Sequence, residues 1–295
     1  MSTTILLYGR TGAGKSAQVG VLAEHVFKTT GKRTRMYTAD RGGVDTIQPY
    51  LDLKLIDVVE IGNSDPWMFL NKSTHGFVRD AAGKWVLDKA RNAEVGFYAF
   101  ESLRSMASAL MFKMAQDGAR GVNIGGGSNV SFSVTGDGET LKISGNNPAH
   151  YGAAQSRILE EVLASQHLDA QYIMWTSGVS KEDDNVSTSK MLGPDVVGKA
   201  LTPVISMEFN YTMRIDVFPA TREKPERHLL YLGSHTDVNA GNAAAVGNIR
   251  RPLDAPPLKE TIIEPANIVQ ALTLLRDEGT KAAAVAAIKA RLGMK

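Results

Sequence analysis

Two periods of apolar residues organise the first forty positions. Ile5-Leu6-Leu7-Tyr8 is an unbroken apolar run, the pattern of a strand covered on both faces. From Ala17 to Thr29 the apolar residues Val19, Leu22, Ala23, Val26 and Phe27 fall on one helix face, and Gly31 ends that helix. Arg35 to Ala39 reads as a second strand, closed by Asp40-Arg41-Gly42-Gly43. Ile56 to Ile61 reads as a third strand and Val95 to Phe100 as a fourth, with a helix from Leu103 to about Gln116 behind it. Residues 118–147 turn rich in Gly, Ser, Asn and Thr. Within them Val130–Val134 and Leu141–Ile143 flank Gly136-Asp137-Gly138, which predicts a hairpin. A helix from about Ala149 to Gln166 and a fifth strand, Tyr172–Trp175, follow.

The later chain is less regular. Residues 178–198 read as a polar loop, and strands are expected near Val204–Phe209, Met213–Phe218 and Leu229–Leu232. Pro252, Pro256 and Pro257 mark a linker before two closing helices, Pro265–Arg276 and Thr280–Leu292. Strands alternating with helices predict an α/β fold: a mostly parallel central sheet flanked by helices. The late strands lack intervening helices, so one edge of the sheet is expected to be antiparallel. This divides the chain into a core over residues 1–258, with 118–147 as a Gly-rich hairpin insertion, and a helical tail over 259–295.

The chemistry concentrates in the turn after the first strand. Gly9-Arg10-Thr11-Gly12-Ala13-Gly14-Lys15-Ser16 matches the phosphate-binding P-loop (Walker A) in full, with a buried strand before it and a helix opening inside it. The glycines let the backbone wrap closely around a phosphate, and the helix N-terminus, running on through Ala17, supplies partial positive charge. Lys15 reaches the β- and γ-phosphates, and Ser16 offers a hydroxyl to Mg²⁺. ATP and Mg²⁺ are therefore the expected ligands. The magnesium acid expected at a neighbouring strand end is Glu101, favoured over Asp57, which stands inside its strand. Ligands of open α/β sheets bind beyond the carboxyl ends. Asp40 is a candidate to orient the attacking water, or else builds an Asx turn with Gly42-Gly43. Thr176 ends the fifth strand and is a candidate contact to the γ-phosphate, or a plain strand-end cap.

This order of elements resembles the RecA-like ATPase core, particularly the short phage-encoded ATP-binding proteins linked to single-strand annealing and recombination. The resemblance spans about residues 3–255. Met36-Tyr37-Thr38-Ala39-Asp40-Arg41 is similar to the strand ending in the catalytic acid, and Phe100-Glu101-Ser102-Leu103 to the magnesium strand with its Asp-Ser pair. Gly198-Lys199-Ala200-Leu201 through Met213-Arg214-Ile215-Asp216 resembles the stretch after the second DNA-binding loop, and Gly193-Pro194-Asp195 with the following Gly-Lys resembles the phage group. Both acids are swapped in length relative to the family, Asp40 for Glu and Glu101 for Asp, which bears on the rate of hydrolysis more than on nucleotide binding. The resemblance implies single-stranded DNA as a partner, held by residues 118–147 and 178–198. It also implies self-association into a ring or filament, with Arg250 or Arg251 reaching a neighbour's γ-phosphate.

Composition narrows these readings. The 33 Lys and Arg nearly balance the 31 Asp and Glu, so a DNA surface has to be local. The chain has no cysteine, which removes disulfide, thiolate-metal and Cys-nucleophile chemistry. No apolar run approaches ~18 residues, so no membrane span is expected. The Met1-Ser2-Thr3-Thr4 start has no basic n-region, and a cytoplasmic protein is expected (the bacterial host cytoplasm, if phage-encoded). Two other readings share the P-loop: a small-molecule kinase, though no Arg-rich lid stands out, and a slowly hydrolysing ATP-dependent assembly switch.

Overall fold

A computed structural model describes the chain except residues 1, 62–64, 120–129, 137–138, 146–147, 184–189, 197–200, 223–224, 238–242, 246, 250–260, 277–284, 287–288 and 290–295. It opens with β1 (Thr3–Gly9), α1 (Lys15–Thr30), β2 (Arg33–Thr38), α2 (Arg41–Thr46), α3 (Gln48–Asp52) and β3 (Ile56–Glu60). Next come α4 (Pro66–Thr74), the small hairpin β4 (Val78–Arg79) and β5 (Trp85–Val86), α5 (Lys89–Ala93), β6 (Val95–Glu101) and α6 (Leu103–Ala119). The insertion holds β7 (Val130–Gly136) and β8 (Glu139–Gly145), followed by α7 (Pro148–Ser165), β9 (Tyr172–Asp183) and β10 (Lys190–Asp195). The chain closes through α8 (Leu201–Ile205), β11 (Tyr211–Phe218), β12 (Arg227–Leu232), β13 (His235–Asp237), β14 (Ala243–Ala245), β15 (Asn248–Ile249), β16 (Ile262–Ile263) and α9 (Ile268–Leu275).

The expected architecture is present. Strands β3, β2, β6, β9, β1 and β11 lie side by side in that order and pair in parallel. β12 and then β16 add antiparallel at the β11 edge. Alternation within β1 shows why its run is apolar throughout. Ile5 and Leu7 pack into a core with Val19, Leu22 and Val26 of α1 and Ile268, Leu272 and Leu275 of α9. Leu6 faces the opposite core, with Phe69 of α4, Leu103 and Met106 of α6, and Ile158 and Val162 of α7. In that second core Phe100 stacks on Trp175 at 4.4 Å between ring centroids, and the indole N–H donates to Ser165 Oγ at 3.0 Å. Trp175 is thus a packing residue with its polar edge satisfied.

Two segments depart from the sequence reading. In the polar stretch after Trp175, residues 178–183 and 190–195 are strand and not loop: β9 runs on to Asp183 and pairs antiparallel with β10, from Gly178 opposite Asp195 to Asp183 opposite Lys190. β14 and then β13 extend this ribbon. Its partners come from β10, so a run with no apolar alternation of its own still becomes a strand. The expected strand at Val204–Phe209 is α8 followed by a 3₁₀ turn, Ser206–Glu208. Leu201 and Ile205, four apart on α8, are buried in the second core, and Phe209, extended just past the 3₁₀ turn, joins them there. The hairpin expected in the insertion is present as β7–β8, with Val134 opposite Leu141 and Gly136 opposite Glu139. Of the expected closing helices, the first is α9, and most of the second lies outside the described residues.

Candidate functional site

Register gathers the sequence candidates. Thr38 of β2 pairs with Glu101 of β6, Phe100 with Trp175, and Thr176 of β9 with Leu7 of β1. The carboxyl ends of β2, β6 and β1 therefore finish close to the level of Thr176 in β9, next to the loop after Gly9. A cavity of about 650 Å³ opens there, within the usual range for small-molecule sites. Its wall includes Gly12, Lys15, Ser16, Asp40, Glu101 and Arg104.

The P-loop shape follows from its residue types. Gly12 and Gly14 take φ of 80° and 96°, the left-handed region that L side chains avoid. No side chain caps the start of α1, so its first amides remain for an anion. Gly9 serves a different need. A Cβ there would stand 2.1 Å from the Ile215 carbonyl oxygen, so glycine lets β1 and β11 close on each other where the loop begins. Arg10 and Thr11 are exposed on the loop and Ala13 is buried beneath it. Ala17 stands in the first turn of α1.

Lys15 folds back over the loop, its Nζ donating to the carbonyls of Gly9 and Arg10 at 3.0 Å each. Burial lowers its pKa from the ordinary lysine value, against the opposing pull of Glu101 and Asp40. The Ser16 hydroxyl donates to Glu101 Oε1. The other carboxylate oxygen, Oε2, is buried without a hydrogen-bond partner among the described residues. Glu101 is only 3% exposed, and burial raises its pKa; the Ser16 hydrogen bond and Lys15 oppose the rise, while Asp40 adds to it.

A hydroxyl and a carboxylate with a spare oxygen form a hard-oxygen donor set that suits Mg²⁺. That ion is commonly held by one or two protein groups plus phosphate oxygens. No group of three or more His, Cys, Asp or Glu among the described residues could hold a metal.

Asp40 lines the cavity, and it caps α2 by accepting from the Gly42 N–H at 3.1 Å, which is the Asx turn. Thr176 is fully buried and its Oγ1 has no partner among the described residues, but it does not end its strand. Asp57 lies away from the cavity, paired with Arg91 at 2.9 Å. Arg250 and Arg251 lie outside the described residues, as does much of 118–147.

Three participants were not read from the sequence. Gly43 in α2 is one: an added Cβ would stand 3.0 Å from the Glu101 carboxyl, so glycine lets α2 lie close over that acid without displacing it. His228 on β12 is the second, its Nδ1 3.0 Å from the Ala13 carbonyl and its Nε2 3.0 Å from Glu226. An amide carbonyl only accepts, so Nδ1 carries the proton there and the ring braces the loop from beneath. Nothing local to either residue points to these roles. The third, Arg104, stands three residues past Glu101 and could have been flagged by its place in the first turn of α6.

No protein-family model and no curated protein matches this chain. Among solved structures it is similar to a KaiC-like protein of the hyperthermophilic archaeon Pyrococcus horikoshii OT3. That similarity covers 83% of this chain and 88% of that one, at 12% identity and a TM-score of 0.38. So loose a superposition transfers nothing to this chain. Among the described residues no helix is long and apolar enough to cross a membrane.

Proposed function

We propose that this chain is a magnesium-dependent ATPase on a RecA-like core, acting on single-stranded DNA as an oligomer in recombination or replication of the phage type. The observation that carries the nucleotide half is the Ser16 hydroxyl bonded to Glu101, with the second Glu101 oxygen buried and unpartnered beside Lys15. An apoprotein gains nothing from an orphaned buried carboxylate oxygen, whereas a cation site uses it. Ser16 and Glu101 would hold the Mg²⁺, which supplies charge neutralisation for the phosphates. The P-loop amides and Lys15 grip the triphosphate, and Lys15 exchanges its two carbonyl partners for phosphate oxygens. Asp40 orients the attacking water at the γ-phosphate.

The DNA half rests on the family resemblance and on position. For the second segment the position is that of Gly178, which stands where 178–198 begins and lines the cavity. A second reading, a slowly hydrolysing assembly switch, draws on Asp40. One of its oxygens is engaged by Gly42, and its side chain is one methylene shorter than the family's glutamate.

ATP turnover with and without single-stranded DNA, alongside sizing with nucleotide, tests both. The ATPase reading expects Mg²⁺-dependent turnover stimulated by DNA and lost in Lys15→Ala. Nucleotide-dependent assembly without turnover selects the switch. A chain that takes up no magnesium-ATP at millimolar concentration overturns both.

A further inference from the structure

One cation on the cavity wall has no part in the chemistry above. Arg104 stands in the first turn of α6 and lines the same cavity as Lys15, Ser16 and Glu101, with its side chain 66% exposed. Its Nη1 donates to Asp195 Oδ2 at 2.5 Å. Asp195 is the last residue of β10, and its backbone carbonyl accepts from Ser177 Oγ at 2.7 Å. Gly178, opposite Asp195 in the ribbon, makes room for this arrangement. A Cβ there would stand 3.2 Å from Asp195 Cβ and 3.7 Å from Arg104 Cδ. The base of the β9–β10 ribbon is thereby tied to the nucleotide cavity through one ion pair.

We propose that Arg104 reads the terminal phosphate of ATP from within the same chain, releasing Asp195 to do so, so that nucleotide state passes to the ribbon. This rests on the ATP reading of the site. The guanidinium presents five N–H donors in a planar fork suited to phosphate, and Asp195 takes one of them. An exposed ion pair contributes little, so exchanging Asp195 for a more highly charged phosphate group favours the exchange. ADP lacks that group and leaves the pair closed. Arg104 is then a phosphate-sensing arginine in cis, independent of any residue reaching across from a neighbour.

The test is equilibrium binding of fluorescent N-methylanthraniloyl ATP and ADP, with Mg²⁺, to the full chain and to Arg104→Ala, Arg104→Lys and Asp195→Asn. Hydrogen exchange of the 177–183 and 190–195 amides is measured alongside. Arg104→Ala should weaken ATP about tenfold and leave ADP unchanged, the size of one lost charge-assisted hydrogen bond. Arg104→Lys should fall between, since it keeps the charge and loses the fork. Asp195→Asn should bind ATP at least as tightly as the parent. ATP, and not ADP, should alter ribbon exchange in the parent, and neither should in Arg104→Ala. Equal weakening of both nucleotides in Arg104→Ala, no weakening of either, or looser ATP binding by Asp195→Asn overturns the inference and leaves the ATP reading standing. A parent chain that binds neither nucleotide overturns both together.

Discussion

Two glycines of the same loop should respond very differently to alanine. Gly9 ends β1, and an added Cβ would stand 2.1 Å from the Ile215 carbonyl oxygen and 2.9 Å from Ile215 Cγ2. Carbon-to-oxygen contacts between neighbouring strands are about 3.3 Å or longer, so β1 and β11 would have to part by roughly 1.2 Å. The obstacle is backbone within a parallel ladder, Gly9 opposite Ile215, and cannot rotate aside. Overpacking of this kind costs about 1–3 kcal/mol, and a broken ladder hydrogen bond adds about 1, so Gly9→Ala should lose ~2–4 kcal/mol. Gly12 has φ of 80° and open space around its Cβ position. Gly12→Ala should therefore lose only the conformational term, about 1 kcal/mol. Guanidinium unfolding followed by far-UV circular dichroism reads both, provided the slopes match the parent's. A Gly9→Ala midpoint equal to the parent's, or a larger loss from Gly12→Ala, would show that strand closure is not what requires glycine at position 9.

Glu101→Gln removes a buried charge with an orphaned oxygen, so the nucleotide-free protein should gain about 1–3 kcal/mol while magnesium-dependent turnover is lost. Because burial raises the Glu101 pKa in the folded state, its favourable contribution is present below the ordinary value of 4.5 and lost as pH rises through the raised value. The melting-temperature advantage of Glu101→Gln should thus grow with pH over that interval, and an advantage that shrinks contradicts the assignment. His228→Ala deletes the bond to the Ala13 carbonyl, worth about 1 kcal/mol, and titration calorimetry should show ATP affinity falling about fivefold. Thr176→Val replaces a buried, unpartnered hydroxyl with a methyl of similar shape, so thermal stability should rise by about 1 kcal/mol. A fall in melting temperature would show that the hydroxyl is satisfied.

The elements that were legible are those whose burial is written in local periodicity. Ile5–Tyr8 and Val95–Phe100 lie in strands flanked on both sides, so every position is apolar. The helix from Ala17 carries its stripe toward β1 because one side of it is covered. Where the partner comes from far along the chain, periodicity was silent. Lys181, Glu182 and Asp183 form a strand because β10 supplies hydrogen-bond partners. Val204 and Ile205 have strand-forming side chains, yet Leu201 and Ile205 reach the same core one helical turn apart on α8.

The loop after β1 divides in the same way. Its eight contiguous residues match the phosphate-loop pattern unaided, because glycine conformational freedom, a helix start, a lysine and a hydroxyl are all local properties. Folding decides what those residues face. Strand register, set by long-range pairing, brings Glu101 to Ser16, lays Asp40 and Gly43 over that acid, sets His228 under Ala13, and ties Arg104 to Asp195 at the ribbon base. Those meetings join residues tens to hundreds of positions apart, and only the packing of the sheet creates them.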